Sequence, residues 1–190
     1  MAAVAAALSE PAIAHTNVAI TLVRDDLLEL DGGTRLRCMA FGRQLKECTE
    51  IVPFVLTLGT AIPERVIELA NAGDLLEALL LETAGWLAIE DATRQFKAHL
   101  RETSLARHHR ITSRMGPGYS YKIAGQMHMW PLEEQAELFA LFGGVKLPVT
   151  LMHSCAMTPK MSRSGIYGVA PLHPTTKSAR GVGSAVSTST

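Results

Sequence analysis

The sequence predicts one α+β domain built from short strands, a long helix and flanking helices. Three patterns indicate this class. Residues 50–58 (EIVPFVLTL) are an apolar run typical of a buried strand, residues 75–100 carry apolar side chains at helical spacing, and residues 131–142 do so again. A chain of 190 residues can bury one substantial core, so its stability does not require a disulfide or a metal.

The first sixteen residues are expected to form an extension of this domain. Residues 1–14 are rich in alanine, but they lack the basic start of a secretory signal and contain Glu10 and Pro11. We therefore expect a cytoplasmic protein whose domain covers residues 17–173. Residues 174–190 are rich in Ser, Thr, Gly and Ala and have no apolar period, which predicts a disordered tail.

Two strands are predicted before the first helix of the domain. Residues 18–23 form the first strand, and the Gly32-Gly33 pair after it permits the positive backbone angles of a tight turn. Residues 50–58 form the second strand, which ends at Gly59. Because this run is apolar throughout, we expect it in the middle of the sheet.

Two helices are predicted next. Pro63 suits a first helical turn, and residues 71–73 (NAG) end that helix. Asp74 can cap the following helix, the expected spine of the domain, by accepting the free amide hydrogens at its start. Six of its residues recur at spacings of three and four and are expected to face the core: Leu76, Leu79, Leu80, Thr83, Leu87 and Glu90.

The last part of the domain is predicted to contain one helix and two strands. Residues 131–142 have helical spacing and are followed by two glycines that end the helix. Residues 147–152 and 166–170 are short strand candidates, and residues 154–164 form the loop between them.

Charge and composition argue against several classes of function. Eighteen basic and eighteen acidic residues cancel, so the chain has no general attraction to nucleic acid or to a membrane surface. No segment approaches the roughly twenty uninterrupted apolar residues that cross a bilayer. Cys38, Cys48 and Cys155 share no Cys-x-x-Cys spacing, and no histidine pair has the spacing of a helical metal site. We therefore predict no metal ligand.

Residues 114–119 (RMGPGY) combine the residue types of a ligand pocket. Their Gly-Pro-Gly turn lets the backbone approach a small ligand and can fold Arg114 and Tyr119 toward the same molecule. A guanidinium grips a carboxylate with two hydrogen bonds, and a tyrosine ring packs on an apolar or aromatic group. An amino-acid-like ligand would satisfy both side chains. The plainer alternative is a surface arginine beside an ordinary turn and a half-buried core tyrosine.

Three motifs follow one another along the chain: residues 114–119 (RMGPGY), 130–135 (WPLEEQ) and 152–166 (MHSCAMTPKMSRSGI). In this order they resemble the S-adenosylmethionine-binding activation (reactivation) domain of cobalamin-dependent methionine synthase and its free-standing relatives. In that family an Arg-x-x-Pro-Gly-Tyr turn holds the ligand, as residues 114–119 would here. Residues 130–135 (WPLEEQ) match a helix start common among the free-standing relatives. Residues 152–166 (MHSCAMTPKMSRSGI) follow the family order of Ser, Met, Pro and Ser-x-Ser-Gly, and the long helix with Gly85 near its centre is also similar.

The resemblance implies a twisted, mainly antiparallel sheet with a long central helix and flanking helices. It implies that Arg114 binds the ligand carboxylate, that Tyr119 lines the pocket and that Glu90 is a candidate for the ligand ammonium. Backbone groups near residues 118 and 154–157 would hold the nucleoside. The implied binding set, which includes no catalytic residue, is Arg114, Pro117, Gly118, Tyr119, Ser154, Cys155, Ala156, Met157 and Glu90.

The function implied by the resemblance is that of a stand-alone reactivation subunit for a corrinoid-dependent methyltransferase. The enzyme would be a split cobalamin-dependent methionine synthase, and the reaction the reductive methylation of cob(II)alamin. The cofactor would be S-adenosylmethionine, with cobalamin reached only through a partner protein. The implied partners are a corrinoid-binding methyltransferase subunit and a flavodoxin-like or iron-sulfur electron donor.

Two departures from the family favour an alternative. Residues 120–129 lie where the relatives usually have far fewer, so the pocket edge is expected to carry an extra loop. Residues 107–110 (RHHR) are basic where methionine synthase has an acid shortly before the arginine. The alternative is a non-catalytic assembly module for corrinoid proteins that has lost S-adenosylmethionine binding. A third hypothesis is an enzyme that acts on a small carboxylate with Tyr119 as proton donor.

Overall fold

The computed structural model describes residues 1–172, which form five α-helices and eleven strands. The helices are α1 (Ala2–Leu8), α2 (Phe41–Gln44), α3 (Ala61–Ala72), α4 (Leu75–Ala106) and α5 (Gln135–Ala140), with a 3-10 turn at Leu132–Glu134. The strands are β1 (Ala12–His15), β2 (Val18–Arg24), β3 (Leu27–Leu30), β4 (Arg35–Arg37), β5 (Glu50–Thr57), β6 (His109–Ile111), β7 (Ser120–Ile123), β8 (Gln126–Met129), β9 (Thr150–Leu151), β10 (Met157–Thr158) and β11 (Ser162–Pro171).

The main sheet has seven strands, and all of its pairs are antiparallel. Its path is β4-β3-β2-β5-β11-β6, and β1 pairs with β5 beside that path. At its centre, Glu50 of β5 lies opposite Val169 of β11, and Thr57 lies opposite Ser162. The predicted α+β class, with an antiparallel sheet and a long central helix, is confirmed.

β5 is buried on both faces, as its continuous apolar run predicts. Because side chains alternate along a strand, Val52, Phe54 and Leu56 pack in the apolar cluster that contains the buried residues of α4. Ile51 and Val55 belong to a second cluster on the other side of the sheet. The sheet therefore separates two cores, and the expected position of residues 50–58 in the middle of the sheet is confirmed.

α4 turns a different face to the core from the one that the sequence analysis predicts. Leu76, Leu79, Leu80 and Leu87 are 64%, 62%, 47% and 67% exposed, and Thr83 and Glu90 are exposed too, so that prediction is wrong. The buried residues are instead Ala78, Leu81, Gly85, Ile89, Thr93, Phe96, Leu100 and Ser104.

Close packing explains why the buried stripe of α4 includes small residues. A Cβ atom on Gly85 would lie 3.0 Å from both Ile62 Cγ2 and Met161 Cε, so a larger side chain would collide there. Glycine and alanine contribute little to an apolar pattern in the sequence, so the pattern did not indicate that these small residues of α4 are buried. The expected side-chain cap from Asp74 is also absent from the structure, and α4 extends past residue 100 to Ala106.

Residues 1–16 belong to the fold and do not form the expected extension. α1 packs on α4 with Ala5 buried, and β1 pairs along its length with β5, from Ala12 opposite Thr57 to His15 opposite Phe54. A short alanine-rich helix and a four-residue strand give little periodic signal, which is why the sequence did not reveal this. The disordered tail predicted over residues 174–190 lies outside the described residues.

The remaining element predictions agree with the structure to different degrees. α3 ends at Gly73, which has φ +88°, as the predicted helix end requires. Residues 147–152 contain only the two-residue strand β9, whereas residues 166–170 are part of the longer β11. Over residues 1–172, no helix is both long enough and apolar enough to cross a membrane.

Candidate functional site

Residues 114–119, here called the glycine turn, are held from two sides by backbone hydrogen bonds. The Met115 N–H donates to the Ile166 carbonyl of β11 over 3.0 Å, and the Ile166 N–H donates back over 2.7 Å. On the other side, the Gly118 N–H donates to the Trp130 carbonyl over 2.8 Å. Gly118 has φ +81°, a conformation that glycine adopts without steric cost. β11 and the residue that follows β8 therefore position this turn.

Arg114 and Tyr119 contact each other across the glycine turn. The guanidinium carbon of Arg114 lies 4.3 Å from the centroid of the Tyr119 ring, within the range of a favourable cation–π interaction. Its Nη1 also donates to the Ser164 carbonyl over 3.1 Å. The turn thus brings the two side chains together, and part of the hydrogen-bonding capacity of Arg114 is directed at the protein.

Residues 120–129 form the hairpin β7–β8, where the sequence analysis expected an extra loop. The hairpin braces the glycine turn through Tyr121. The Gly116 N–H donates to the Tyr121 hydroxyl over 2.7 Å, and that hydroxyl lies 3.2 Å from the Gly116 carbonyl, to which it donates. Burial raises the pKa of the Tyr121 phenol, which keeps it protonated and able to donate.

Gln135 joins the second motif to the sheet, and the sequence analysis missed this residue. It is 3% exposed; its Nε2 donates to the Cys155 carbonyl over 3.0 Å, and its Oε1 accepts from Ser164 Oγ over 3.0 Å. Because both ends of the amide are bonded, Gln135 fixes the loop that begins at Ser154 against β11. Gln135 closes the WPLEEQ motif, which is the sequence signal that points to it.

The glycine turn, the 154–164 loop and α4 enclose a cavity of about 230 Å³, here called the turn pocket. Five predicted residues line it: Pro117, Tyr119, Cys155, Ala156 and Met157. Six further residues line it that were not predicted: Trp86, Leu132, Gln135, Ser162, Arg163 and Ser164. The other predicted residues, Arg114, Gly118, Ser154 and Glu90, are bonded to lining residues, in contact with them or next to them in the chain.

An ion pair between Glu90 and Arg163 lies at the turn pocket. Arg163 Nη2 donates to Glu90 Oε1, and the two side chains are 11% exposed for Arg163 and 61% exposed for Glu90. The hydrogen bond from Arg163 holds the pKa of the Glu90 carboxyl below its usual value, and the charge of Arg114 acts in the same direction. Glu90 is therefore ionised at neutral pH, and groups of both signs lie at the edge of the pocket: Arg163, which lines it, and Glu90, which is bonded to Arg163.

The turn pocket is not the largest cavity of the described residues. Cavities of about 630 Å³ and 600 Å³ border β1, the first against residues 141–148 and the second against α1 and α4. A groove of about 510 Å³ adjoins the turn pocket, since Met157 lines both. The turn pocket alone is smaller than the ~300–1,000 Å³ usual for a small-molecule site, but it is the cavity on which the two motifs converge.

No protein-family model and no curated protein matches this sequence. Among solved structures, the fold is similar to the crystal structure of the MetH reactivation domain bound to AdoHcy (S-adenosylhomocysteine), with a TM-score of 0.63 and 15% sequence identity. The match covers 90% of this chain and 62% of that chain, so this chain spans less than two thirds of its neighbour's length. This chain therefore has the fold of the MetH reactivation domain.

Proposed function

We propose that this chain binds S-adenosylmethionine in the turn pocket and is a stand-alone reactivation subunit for a corrinoid-dependent methyltransferase. The observation that carries the proposal is that two motifs about forty residues apart, the glycine turn and the 154–164 loop, line one pocket. The neighbour of similar fold is bound to S-adenosylhomocysteine, which is the demethylated form of the proposed ligand.

The residues at the pocket suit the parts of this ligand. Trp86 and Tyr119 offer aromatic surface for an adenine ring, and Met157 offers a polarizable apolar surface. Arg114 and Glu90 bring opposite charges to the side where an amino-acid end would bind. We retain the complete set as the proposed binding residues: Arg114, Pro117, Gly118, Tyr119, Ser154, Cys155, Ala156, Met157 and Glu90.

The proposed role of this chain is to position its ligand, because the reactive groups belong to the ligand and the partner. S-adenosylmethionine supplies a methyl cation and is left as S-adenosylhomocysteine, while an electron donor supplies the one electron that an oxidised corrinoid needs. The proposed partner is the corrinoid-binding subunit of a split methionine synthase in the cytoplasm. The proposed electron donor is a flavodoxin-like or iron-sulfur protein.

The second candidate function is a non-catalytic assembly module for corrinoid proteins. The β7–β8 hairpin favours it, because Met127 and Met129 are 63% and 62% exposed beside the glycine turn and offer an adaptable apolar surface to a partner. In this alternative the chain keeps the fold and uses its surface, but does not bind S-adenosylmethionine.

Calorimetric titration with S-adenosylmethionine and S-adenosylhomocysteine separates the two candidates. We expect saturable binding that Arg114→Ala weakens by about 2–3 kcal/mol, because removal of a charged group leaves its partners unsatisfied. Arg110→Ala is the matched control, since Arg110 pairs with Glu47 outside the pocket. Folded protein that binds neither compound would contradict the reactivation proposal and leave the assembly module.

A further inference from the structure

Arg163 brings a second guanidinium to the turn pocket. Its side chain is 11% exposed, and the residue is one of those that line the cavity. Within residues 1–172, the hydrogen bond found for this guanidinium runs from Nη2 to Glu90 Oε1. A guanidinium has five N–H donors in a planar fork, so most of them remain available to a ligand. Arg163 occupies the variable position x of the Ser-x-Ser-Gly pattern, so the pattern gave no reason to predict Arg163 as a binding residue.

Arg114 is less free to bind a ligand directly. Its guanidinium packs on the Tyr119 ring at 4.3 Å, and its Nη1 donates to the Ser164 carbonyl. A Cβ atom on Gly116 would lie 2.9 Å from the same Nη1, which shows how closely this group lies against the turn. Arg163 lines the turn pocket, and Glu90 adjoins it through its bond to Arg163, whereas Arg114 adjoins it with a guanidinium already in contact with Tyr119 and Ser164.

We propose that Arg163 binds the carboxylate and Glu90 the ammonium of the ligand's amino-acid end, so that the ion pair recognises a zwitterion. This inference rests on the proposed function and deepens it. This refines the proposed binding set in one respect: Arg114 acts through Tyr119 and Ser164 as a positioning residue that shapes the pocket wall, and Arg163 takes the carboxylate in its place.

The charges of the pair make it complementary to a zwitterion. Arg163 and Glu90 are bonded side by side, so a ligand that presents a carboxylate and an ammonium can place each beside its opposite charge. No charge is then left unpaired in the complex. Arg163 is little exposed, so its bond with the ligand's carboxylate would be screened less by water and salt than a bond at the surface.

A selectivity follows from this arrangement. A ligand that carries the adenosyl thioether without an amino-acid end gains nothing from the pair, because Arg163 and Glu90 already satisfy each other. We therefore expect S-adenosylhomocysteine to bind more tightly than 5′-methylthioadenosine, which has the same nucleoside and sulfur but no charged end.

Calorimetric titration of the full chain with these two compounds tests the inference. Arg163→Met should weaken S-adenosylhomocysteine binding about 10- to 100-fold, as expected for the loss of a charged hydrogen-bond partner. The same change should alter 5′-methylthioadenosine binding by less than about twofold, because that ligand has no carboxylate. Glu90→Gln should show the same selective loss. Arg114→Ala should weaken both compounds, since it changes the wall of the pocket.

Two further variants control this experiment. Arg110→Met breaks the ion pair with Glu47 outside the pocket and should leave both affinities unchanged. Arg163→Lys keeps the positive charge but loses the planar pair of hydrogen-bond donors. Its affinity for S-adenosylhomocysteine should lie between those of wild type and folded Arg163→Met. Equal S-adenosylhomocysteine affinity in wild type and folded Arg163→Met overturns the inference but not the proposed function, as does tighter binding of 5′-methylthioadenosine. Folded wild type that binds neither compound overturns both.

Discussion

Gly165 is the residue that allows the glycine turn to approach β11. It has φ +153°, and a Cβ atom there would lie 2.3 Å from the Met115 carbonyl oxygen, which bonds to the Ile166 N–H. We expect Gly165→Ala to destabilise the protein by more than about 1 kcal/mol, because both the backbone conformation and the close approach disfavour a side chain. Denaturant unfolding measures this cost. Gly125→Ala is the control for a positive φ without a close contact, since Gly125 has φ +88° and no atom within 4 Å of its Cβ position.

The three cysteines differ in their expected reactivity. Cys38 and Cys48 are buried, and burial raises the pKa of both thiols, that of Cys48 to about 11. Only about one Cys48 in a thousand would then be a thiolate at pH 8, and the thiolate is the reactive form. We expect a thiol reagent to modify the half-exposed Cys155 first, as peptide mass mapping would show. Rapid labelling of Cys48 in folded protein would contradict the structure.

The Glu90 carboxyl is expected to titrate below its ordinary value of 4.5 because Arg163 donates a hydrogen bond to it. A carboxyl with a lowered pKa stabilises the folded state above its unfolded pKa, and this contribution is lost as pH falls through the folded pKa. The contribution of Glu90 should therefore decline as the pH falls below about 4.5 and be lost below the folded pKa, and NMR titration should show its pKa return toward the ordinary value in Arg163→Met. Glu82, which Lys160 holds below its ordinary pKa, is the control and should not change. An unchanged pKa for Glu90 would mean that Arg163 is not its partner in solution.

The sequence allowed residues of the candidate site to be predicted where they belong to the same short motif. Arg114 and Tyr119 stand on one short turn, so sequence distance alone brings them together. Arg163 and Trp86 come from separate elements, and only the packing of α4 beside β11 places them at the same cavity. Such long-range neighbours leave no spacing signal in a single sequence, and so the sequence analysis did not find them.

At the scale of the element, α4 shows why periodicity indicated the helix but not its buried face. Both of its stripes have helical spacing, and the one predicted to be buried contains the exposed Leu79 and Leu87. The stripe that packs in the core contains the small residues Ala78 and Gly85, and Gly85 lies close to Ile62 of α3 and to Met161 just before β11. Because the buried stripe also contains Leu81, Ile89 and Phe96, apolar content does not distinguish the two faces, whereas the close packing at Gly85 does.

The two faces of α4 predict opposite results for neighbouring leucines. Leu81→Ala should destabilise the protein by about 2–5 kcal/mol, because Leu81 is fully buried and its loss leaves a cavity. Leu80→Ala is the matched control: Leu80 is 47% exposed, and its loss should change the free energy of unfolding by less than about 1 kcal/mol. Denaturant unfolding of both variants decides the orientation of the helix. A larger cost at Leu80 would favour the face predicted from the sequence.

At the scale of the whole molecule, the glycine turn and the 154–164 loop meet because β11 supports both. β11 pairs with β5 over eight residue positions, bonds to Met115 and contains the last three residues of the loop. The apolar run of β5 predicted its place in the middle of the sheet. Of β11, only residues 166–170 were predicted to form a strand. The first part of β11 contains Ser162, Ser164 and Gly165, which lack apolar character because they serve the pocket and the turn.

The extent of the domain gives a prediction for the whole chain. Residues 1–16 add β1 to the sheet and α1 to α4, and the Glu10 N–H donates to the Leu58 carbonyl over 2.9 Å. Their removal should lower the free energy of unfolding by on the order of 2–4 kcal/mol, since each lost backbone hydrogen bond contributes roughly 1 kcal/mol net. Thermal unfolding of the truncated and full-length chains measures this loss.

The same truncation also tests whether the domain depends on its first residues for ligand binding. None of residues 1–16 lines the turn pocket, so a truncated chain that remains folded should bind S-adenosylhomocysteine with unchanged affinity under the proposed function. Removal of residues 174–190 is the control, and from its composition this segment should contribute nothing to stability. A truncated chain as stable as the full-length protein would restore the boundary at residue 17, because the pairing of β1 with β5 would then contribute no net stability.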